Sequence, residues 1–272
     1  MKYILILLIV LIILFIIFVI YSCKKVEVSY FDIENEKIDK NMKIMLLSDM
    51  HNRNVKDKVD LIIKKEKPDI IVLSGDMVNE FAHEQQTFID LTDSFIGYDT
   101  YYTFGNHEEA LSEHLKSLFL KKLTRTNIVL LNNGSKSLSN NIMLYGLDVD
   151  ITFFEGLRKK KINNKYIESK IGKINKKKYN IAIAHNPLMA KEYDKYGFDL
   201  TLSGHVHGGI IRLPLLGGLL SPEYKFFPKY YQGVYDVGNM KLVVSRGIGF
   251  NKRFPIRLFN PAEVVIINLC KK

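Results

Sequence analysis

Cysteine is almost absent from this chain. Only Cys23 and Cys270 occur among the 272 residues, which excludes a disulfide framework and a cysteine-built metal site while leaving the redox compartment open. Internal repeats and low-complexity linkers are missing too, so residues 42–272 read as one domain, and layered α/β folds reach this size around one sizeable core. Acidic groups are the scarcer charge: 29 Asp and Glu face 39 Lys and Arg, a formal net charge of +10. The surplus collects in runs such as Arg158-Lys159-Lys160-Lys161 and Lys176-Lys177-Lys178. It fits anionic lipid headgroups, nucleotides or nucleic acid as partners, or simply a solvated face. No aromatic stacking motif of the kind that single strands require accompanies it, which makes nucleic acid the weakest of these.

Charge is also lacking from Tyr3 to Tyr21, nineteen residues that as a helix would span about 28 Å, the thickness of a bilayer core. Residues 1–23 therefore read as an uncleaved single-pass anchor in the cell membrane, with tyrosines at both interfaces. A cleaved signal, which wants a small residue where Tyr21 stands, and lipid attachment at Cys23 are the alternatives. Lys2 on one side balances Lys24 and Lys25 on the other, so orientation is weakly specified. The expectation is an extracytoplasmic domain, with the cytoplasmic face as the alternative. Residues 24–41 read as a stalk in which Val26, Val28 and Tyr30 could form an edge strand.

From Met42 a pattern repeats. Ile44-Met45-Leu46-Leu47 runs into Asp49, Ile70-Ile71-Val72-Leu73 into Gly75-Asp76, and Tyr101-Tyr102-Thr103-Phe104 into Gly105-Asn106-His107-Glu108, with helical stretches between. Continuously apolar strands alternating with helices predict βαβ units and buried parallel sheets, whose ligands gather at the carboxyl ends of strands. Further on, Ile128–Leu131 and Met143–Gly146 look like strands, and the lysine-rich span 154–178 like a helical or irregular insertion. Tyr179–Ala184 then runs into His185, and Phe198–Leu202 into Ser203-Gly204-His205-Val206-His207-Gly208-Gly209. Side chains alternate along a strand, so His205 and His207 reach one site only if the backbone turns between them, a turn the flanking glycines permit.

The strand-end residues are Asp49, His51, Asp76, Asn106, His107, His185, His205 and His207. Five of the seven histidines fall in such positions, whereas His83 and His114 sit in polar helical stretches and read as surface. Carboxylate, imidazole and amide oxygen together suit Mn, Fe or Zn better than Ca or Mg. Seven such groups could hold two ions if one carboxylate bridged them, a pair that clamps a phosphoryl group and lowers the pKa of a bridging water. Turn chemistry at Ser-Asp and Gly-Asp, and ordinary hydrogen-bonded core histidines, are the competing explanation for any single position.

Asp49-Met50-His51, Gly75-Asp76, Gly105-Asn106-His107-Glu108, Ala184-His185 and Gly204-His205-Val206-His207 resemble, in order and spacing, the five signature blocks of the calcineurin-like metallophosphoesterase superfamily. The resemblance covers residues 42–272 and implies an α/β fold, a four-layer α/β/β/α sandwich with two mixed sheets, preceded by the transmembrane helix. It implies two divalent metal ions: Asp49, His51 and His207 on the first, Asn106, His185 and His205 on the second, Asp76 as the bridge. It casts His107 as a catalytic residue that steadies the transition state or protonates the leaving oxygen without ligating metal. Glu108 reads either as a helix-terminus carboxylate or as the partner that orients an imidazole.

The segments 208–217, 244–249 and 255–257 further resemble the membrane-associated bacterial branch of that superfamily, which includes pyrophosphatases of UDP-diacylglucosamine and exported members. The region around Asp148 also looks like a family loop, with no mechanistic role assigned. One departure, Asn52-Arg53 where a small residue is frequent, bears on pocket size. Physically, the apolar stretch 213–220 with Phe226, Phe227, Tyr230 and Tyr231 could line an acyl-chain groove or pack between sheets. Arg246 and Arg257 are candidates for phosphate or for structural contacts. The expected function is a membrane-anchored phosphohydrolase acting on a phosphodiester or pyrophosphate, with a phosphate-containing and lipid-linked or nucleotide-sugar substrate favoured. A less selective phosphodiesterase or protein phosphatase, and a non-catalytic metal-bound scaffold, are the alternatives.

Overall fold

A computed structural model describes residues 2–79, 85–154, 162–209, 211–213, 217–221, 226–250 and 256–272. His83 and the basic run 158–161 lie outside the described residues, and His114 is exposed.

The apolar N-terminal run forms helix α1 (Lys2–Lys24), exposed through Phe18 and buried at Ser22 near its end; among the described residues it is the one helix long and apolar enough to cross a membrane, a test that a signal sequence also passes. Strand β1 (Val26–Asn35) follows at once. The segment expected as a stalk therefore supplies the edge strand of a sheet, paired in parallel over all ten residues with the C-terminal strand. Then come β2 (Met42–Leu47), α2 (Lys56–Glu66), β3 (Ile70–Ser74), α3 (Gln85–Thr92), β4 (Asp99–Thr103), the single-turn α4 (Asn106–Glu109), α5 (Glu113–Leu123) and β5 (Ile128–Leu130). The second half comprises β6 (Gly134–Ser137), β7 (Ile142–Gly146), α6 (Asn164–Ile171), β8 (Tyr179–Ile183), α7 (Ala190–Tyr196), β9 (Leu200–Ser203), the short pair β10 (Ile211–Leu213) and β11 (Gly217–Leu220), β12 (Gly233–Val237), β13 (Met240–Val244) and β14 (Ala262–Lys271).

Two six-stranded mixed sheets result, ordered β1-β14-β2-β3-β4-β5 and β12-β13-β9-β8-β7-β6. The strands buried on both faces, β2, β3, β8 and β9, occupy the sheet centres; β3 is apolar through Ile70–Leu73, whereas the others carry Lys43, Asn180 and Thr201 among apolar residues. Ile44, Leu46, Val72, Ile181, Ile183 and Leu202 pack between the sheets. Val59, Ile63, Phe88, Phe119 and Leu123 cover the outer face of the first sheet from α2, α3 and α5; Ile167, Tyr193 and Tyr196 cover the second from α6 and α7. This is the expected four-layer α/β/β/α sandwich.

Both sheets aim the carboxyl ends of their central parallel strands at one seam. The seam is stitched by backbone and hydroxyl groups: Ser74 Oγ donates to the Leu202 carbonyl at 3.1 Å, and the amide of Ile248 to the Ser48 carbonyl at 2.9 Å.

Candidate metal centre

The loops that leave β2, β3 and β9 at the seam carry an unusual backbone. Asp49, His51, Asp76, His205 and His207 all have φ between 47° and 69°, in the left-handed region that side chains other than glycine and asparagine rarely enter. Each costs on the order of 1–2 kcal/mol, and such strain persists only where surrounding contacts enforce it. The enforcing contacts are visible. The amide of Asp49 donates to the Gly75 carbonyl at 3.0 Å and that of His51 to the Asp76 carbonyl at 3.1 Å, so the first two loops brace each other. The amide of His205 donates to both carboxylate oxygens of Asp49, at 2.9 and 3.1 Å, tying in the loop from the second sheet.

The turn between His205 and His207 differs from the expectation. The histidines themselves adopt the left-handed conformation, as does Gly208 after them. Gly204 serves close approach instead: a Cβ there would fall 2.3 Å from Asp49 Oδ2. Gly105 plays the same part beside Asp76, where a Cβ would lie 2.3 Å from Oδ1.

At the centre stands Asp76. Its Oδ2 lies 3.0 Å from His185 Nε2 and 4.0 Å from Nε2 of both His51 and His107. Asp49 Oδ1 is 3.6 Å from His207 Nε2 and 3.9 Å from His185 Nε2. Ligand atoms of Asp49, His51 and His207 lie within 4.8 Å of one another, and so do those of Asp76, His185 and His205, and of His51, Asp76 and His107. All eight strand-end residues thus sit at the seam, and seven of them contribute to these clusters; Asn106 opens α4 beside them.

Whether this donor set fits a metal can be tested on its hydrogen bonds. His51 Nδ1 sits 3.0 Å from Asn79 Oδ1, an acceptor, which puts the proton on Nδ1 and leaves the Nε2 lone pair pointing at His207 Nε2, 3.1 Å away. His185 Nδ1 donates to the Ser74 carbonyl at 2.7 Å, so Nε2 is the nitrogen turned to the Asp76 carboxylate. Imidazoles held by an outer partner, as His51 and His185 are, with their Nε2 atoms converging on carboxylates and on a further imidazole, are arranged for a cation. Asn106 Oδ1 is buried with no hydrogen-bond partner among the described residues, an acceptor awaiting a positive ligand. Asp and His residues clustered in this way could bind a dinuclear metal site, and the donor chemistry leaves the metal open among Mn, Fe and Zn.

The electrostatics agree. Burial, reinforced by the neighbouring His107, drives the His51 pKa down to about 3, and burial with His51 and Arg257 nearby holds His207 well below its ordinary value. Burial raises the Asp49 carboxyl to about 6. For Asp76 burial works the other way from its neighbours, and His185, His107 and His51 prevail, holding the carboxyl well below its usual range. His185 is pushed up to about 10, because the carboxylates of Asp76 and Asp49 outweigh its burial.

Glu108 resolves in favour of the backbone. Fully buried, it accepts from the amides of Asp76 (2.8 Å), Gly105 (2.8 Å) and Val78 (3.1 Å), closing the first turn of α4 and strapping it to the Asp76 loop. The signal for this strap, a carboxylate at the third position of a helix, was present in sequence, but its partners at 76 and 78 were not. Asn79, which orients His51, escaped the sequence reading altogether.

Both arginine candidates are structural. Arg246 pairs with Glu263 and Glu27, each at 3.1 Å, and Arg257 donates to the carbonyls of Gly249 (2.6 Å) and Arg246 (2.9 Å). Arg53 donates to the carbonyls of Ile248 and Cys23 and lies over the Phe250 ring. Phe154 closes one side, its ring 5.3 Å from that of His205. Of the four aromatics expected at an apolar mouth, Tyr230 is buried in the outer core, whereas Phe226 and Phe227 are exposed.

Comparison with known proteins places this site in a family. The sequence profile of the calcineurin-like phosphoesterases matches residues 42–209. A metallophosphoesterase of Campylobacter jejuni is 32% identical over 258 residues, covering 90% of this chain; the chain spans 64% of that relative's length. The phosphodiesterase YaeI of Escherichia coli is 26% identical over 236 residues, covering 84% of this chain and 82% of YaeI. In fold, the crystal structure of the protein TT1561 of Thermus thermophilus superposes with a TM-score of 0.52 at 11% identity, over 77% of this chain and 92% of that one.

Proposed function

This chain belongs to the calcineurin-like phosphoesterase family, and from that premise we propose that it is a membrane-held dinuclear phosphohydrolase acting on a phosphodiester or pyrophosphate that a lipid or nucleotide sugar carries. Its class, a metal-dependent phosphoesterase acting on phosphate-containing substrates, follows from the family; the ligand assignment, the anchoring and the substrate are our reading. The observation that carries it is Asp76 Oδ2, which stands between the Asp49–His51–His207 cluster and the His185–His205 cluster. Asp49, His51 and His207 would hold one ion and Asn106, His185 and His205 the other, with the Asp76 carboxylate shared between the two sets. Two divalent ions bound there would supply Lewis acidity and lower the pKa of a bound water toward neutrality.

The chain's own groups do the rest. His107 lies at the rim with its side chain 23% exposed, its ring edge-on to His51 at 4.7 Å, and donates a proton to the leaving oxygen. Glu108 fixes the peptide that presents Asp76, and Asn79 fixes the His51 tautomer. Exposed Phe226 and Phe227 adjoin the β10–β11 pair, whose Gly218 packs on Gly208 and Gly209 directly after the His207 turn. That places an apolar surface beside the centre, suited to acyl chains such as those of UDP-diacylglucosamine. With the domain outside the cell, an envelope phosphoester is the substrate; a nucleotide sugar requires the cytoplasmic face. Protease accessibility in intact against lysed cells separates the two.

The test of the reading is hydrolysis of a chromogenic phosphodiester by the full chain in detergent with Mn. Activity that is lost in both Asp76→Ala and His107→Ala supports it; activity that survives both overturns the mechanism, and no activity on any phosphoester favours a metal-bound scaffold.

A further inference from the structure

The segment 256–260 touches three parts of the molecule within five residues. Phe259 packs against Phe18 of α1, ring centroids 5.3 Å apart. Arg257 is buried among backbone carbonyls, and its amide donates to Cys23 Sγ at 3.4 Å. Asn260 Nδ2 donates to the carbonyls of His207 at 2.6 Å and of Gly209 at 3.2 Å. One short loop thus runs from the apolar helix to the turn that presents two candidate metal ligands.

Its depth along the helix is informative. Phe18 lies within the uncharged run, six residues before Lys24, hence about 9 Å along the axis from the first charge. Phe18, and Phe259 packed on it, thus lie inward of a basic collar of Lys24, Lys25 and Lys58, in which Lys25 pairs with Glu27 at 2.7 Å and Lys58 donates to the carbonyl of Lys24. Ile256 is 52% exposed and Phe259 40%. Phe259 holds a left-handed backbone, φ 53°, between Arg257 and Asn260, whose buried hydrogen bonds fix the loop on either side of it.

We infer that the 256–260 loop dips into the bilayer beside α1 and holds the metal centre against the headgroup layer, so that the phosphoester it meets is one displayed by the membrane surface. This rests on the reading of α1 as a membrane span. The occupant of the Ile256–Phe259 surface is lipid: the loop continues the apolar surface of the helix inward, and the collar above it is positive, as anionic headgroups require.

The chain contains no tryptophan, so single-tryptophan variants report position without background. The full chain is reconstituted into phosphatidylcholine–phosphatidylglycerol vesicles whose acyl chains are brominated at shallow or deep positions. Phe259→Trp is expected to emit to the blue and to be quenched about twofold or more by shallow bromine, the depth of an interfacial segment. Leu11→Trp reports α1 itself and is expected to respond to deep bromine. Ile96→Trp, on an exposed residue before the amino end of β4, is expected to respond to neither. Quenching of Leu11→Trp without Phe259→Trp overturns the inference and leaves the anchor standing; an unquenched Leu11→Trp removes both. As a second readout, Ile256→Asp is expected to lower turnover of a phosphodiester displayed on vesicle lipid about tenfold while a soluble chromogenic phosphodiester is cleaved as before. Equal turnover of the vesicle substrate by variant and wild type contradicts it.

Discussion

The two sheets contribute to the centre unequally. The first brings both carboxylates, the amide and the strap, through Asp49, Asp76, Asn106 and Glu108, together with His51 and His107; the second brings imidazoles only, His185, His205 and His207. Neither half is a complete site. The first alone leaves two carboxylates facing solvent with too few neutral ligands, and the second alone offers three nitrogens and no charge to balance an ion. On the proposed reading the seam, rather than either sheet, is the functional unit, with all of its carboxylates drawn from the first sheet and only imidazoles from the second.

The sharpest way to break this asymmetry is to remove its charge. Asp76→Asn in the first sheet should lower kcat/KM about a thousandfold or more, since one preorganised electrostatic element commonly carries that much, and should leave fewer than two metals per chain by elemental analysis. His107→Gln should cost about a hundredfold or more in kcat, the scale of one general acid, with metal content unchanged, because it touches the reaction and not the ions. Next comes Glu108→Gln. It weakens three backbone contacts and should cost about tenfold to a hundredfold in metal affinity, read by titration with Mn, as loss of an outer partner does.

A change in the second sheet should act on geometry. Gly204→Ala pushes a methyl into the Asp49 carboxylate and should destabilise the fold by about 1–3 kcal/mol in denaturant unfolding, with metal affinity falling in step. The smallest effect lies at the edge of the site, where burial, with Glu109 nearby, raises the Asp148 carboxyl to about 8. A carboxyl whose folded pKa exceeds its unfolded value of 3.8 contributes stability that is full below about 4 and lost as pH rises through about 8. Asp148→Asn, which stays neutral, should therefore match wild type near pH 4 and melt progressively higher than wild type as pH rises to about 8, by about 2–4 °C for each kcal/mol, with no further divergence above that. Parallel melting curves across that range would show that Asp148 ionises freely.

Much of this was legible in the sequence, for a physical reason. Strands buried on both faces are dominated by apolar residues, so β2, β3, β8 and β9 announce themselves even with Lys43, Asn180 and Thr201 within them, and the polar cluster after each marks a carboxyl end. That put all eight residues of the centre together before any geometry. The illegible parts depend on distant partners. The alternation of β1 suggested an edge strand, but its place in the sheet rests on β14, more than two hundred residues away, which inserts between β1 and β2. The acceptors of Arg257 are carbonyls at 246 and 249, with no side-chain signature. Likewise, glycines flanking His205 and His207 suggested where the turn would bend, yet the bend falls on the histidines, because the Asp49 carboxylate grips the amide of His205 and enforces it.

If the two halves share a pair of ions through Asp76, the full chain loaded with Mn should hold two Mn per chain and give a spin-coupled electron paramagnetic resonance signal that Asp76→Asn converts to that of isolated ions. One Mn per chain with an uncoupled six-line spectrum in the wild type would rule out a shared pair.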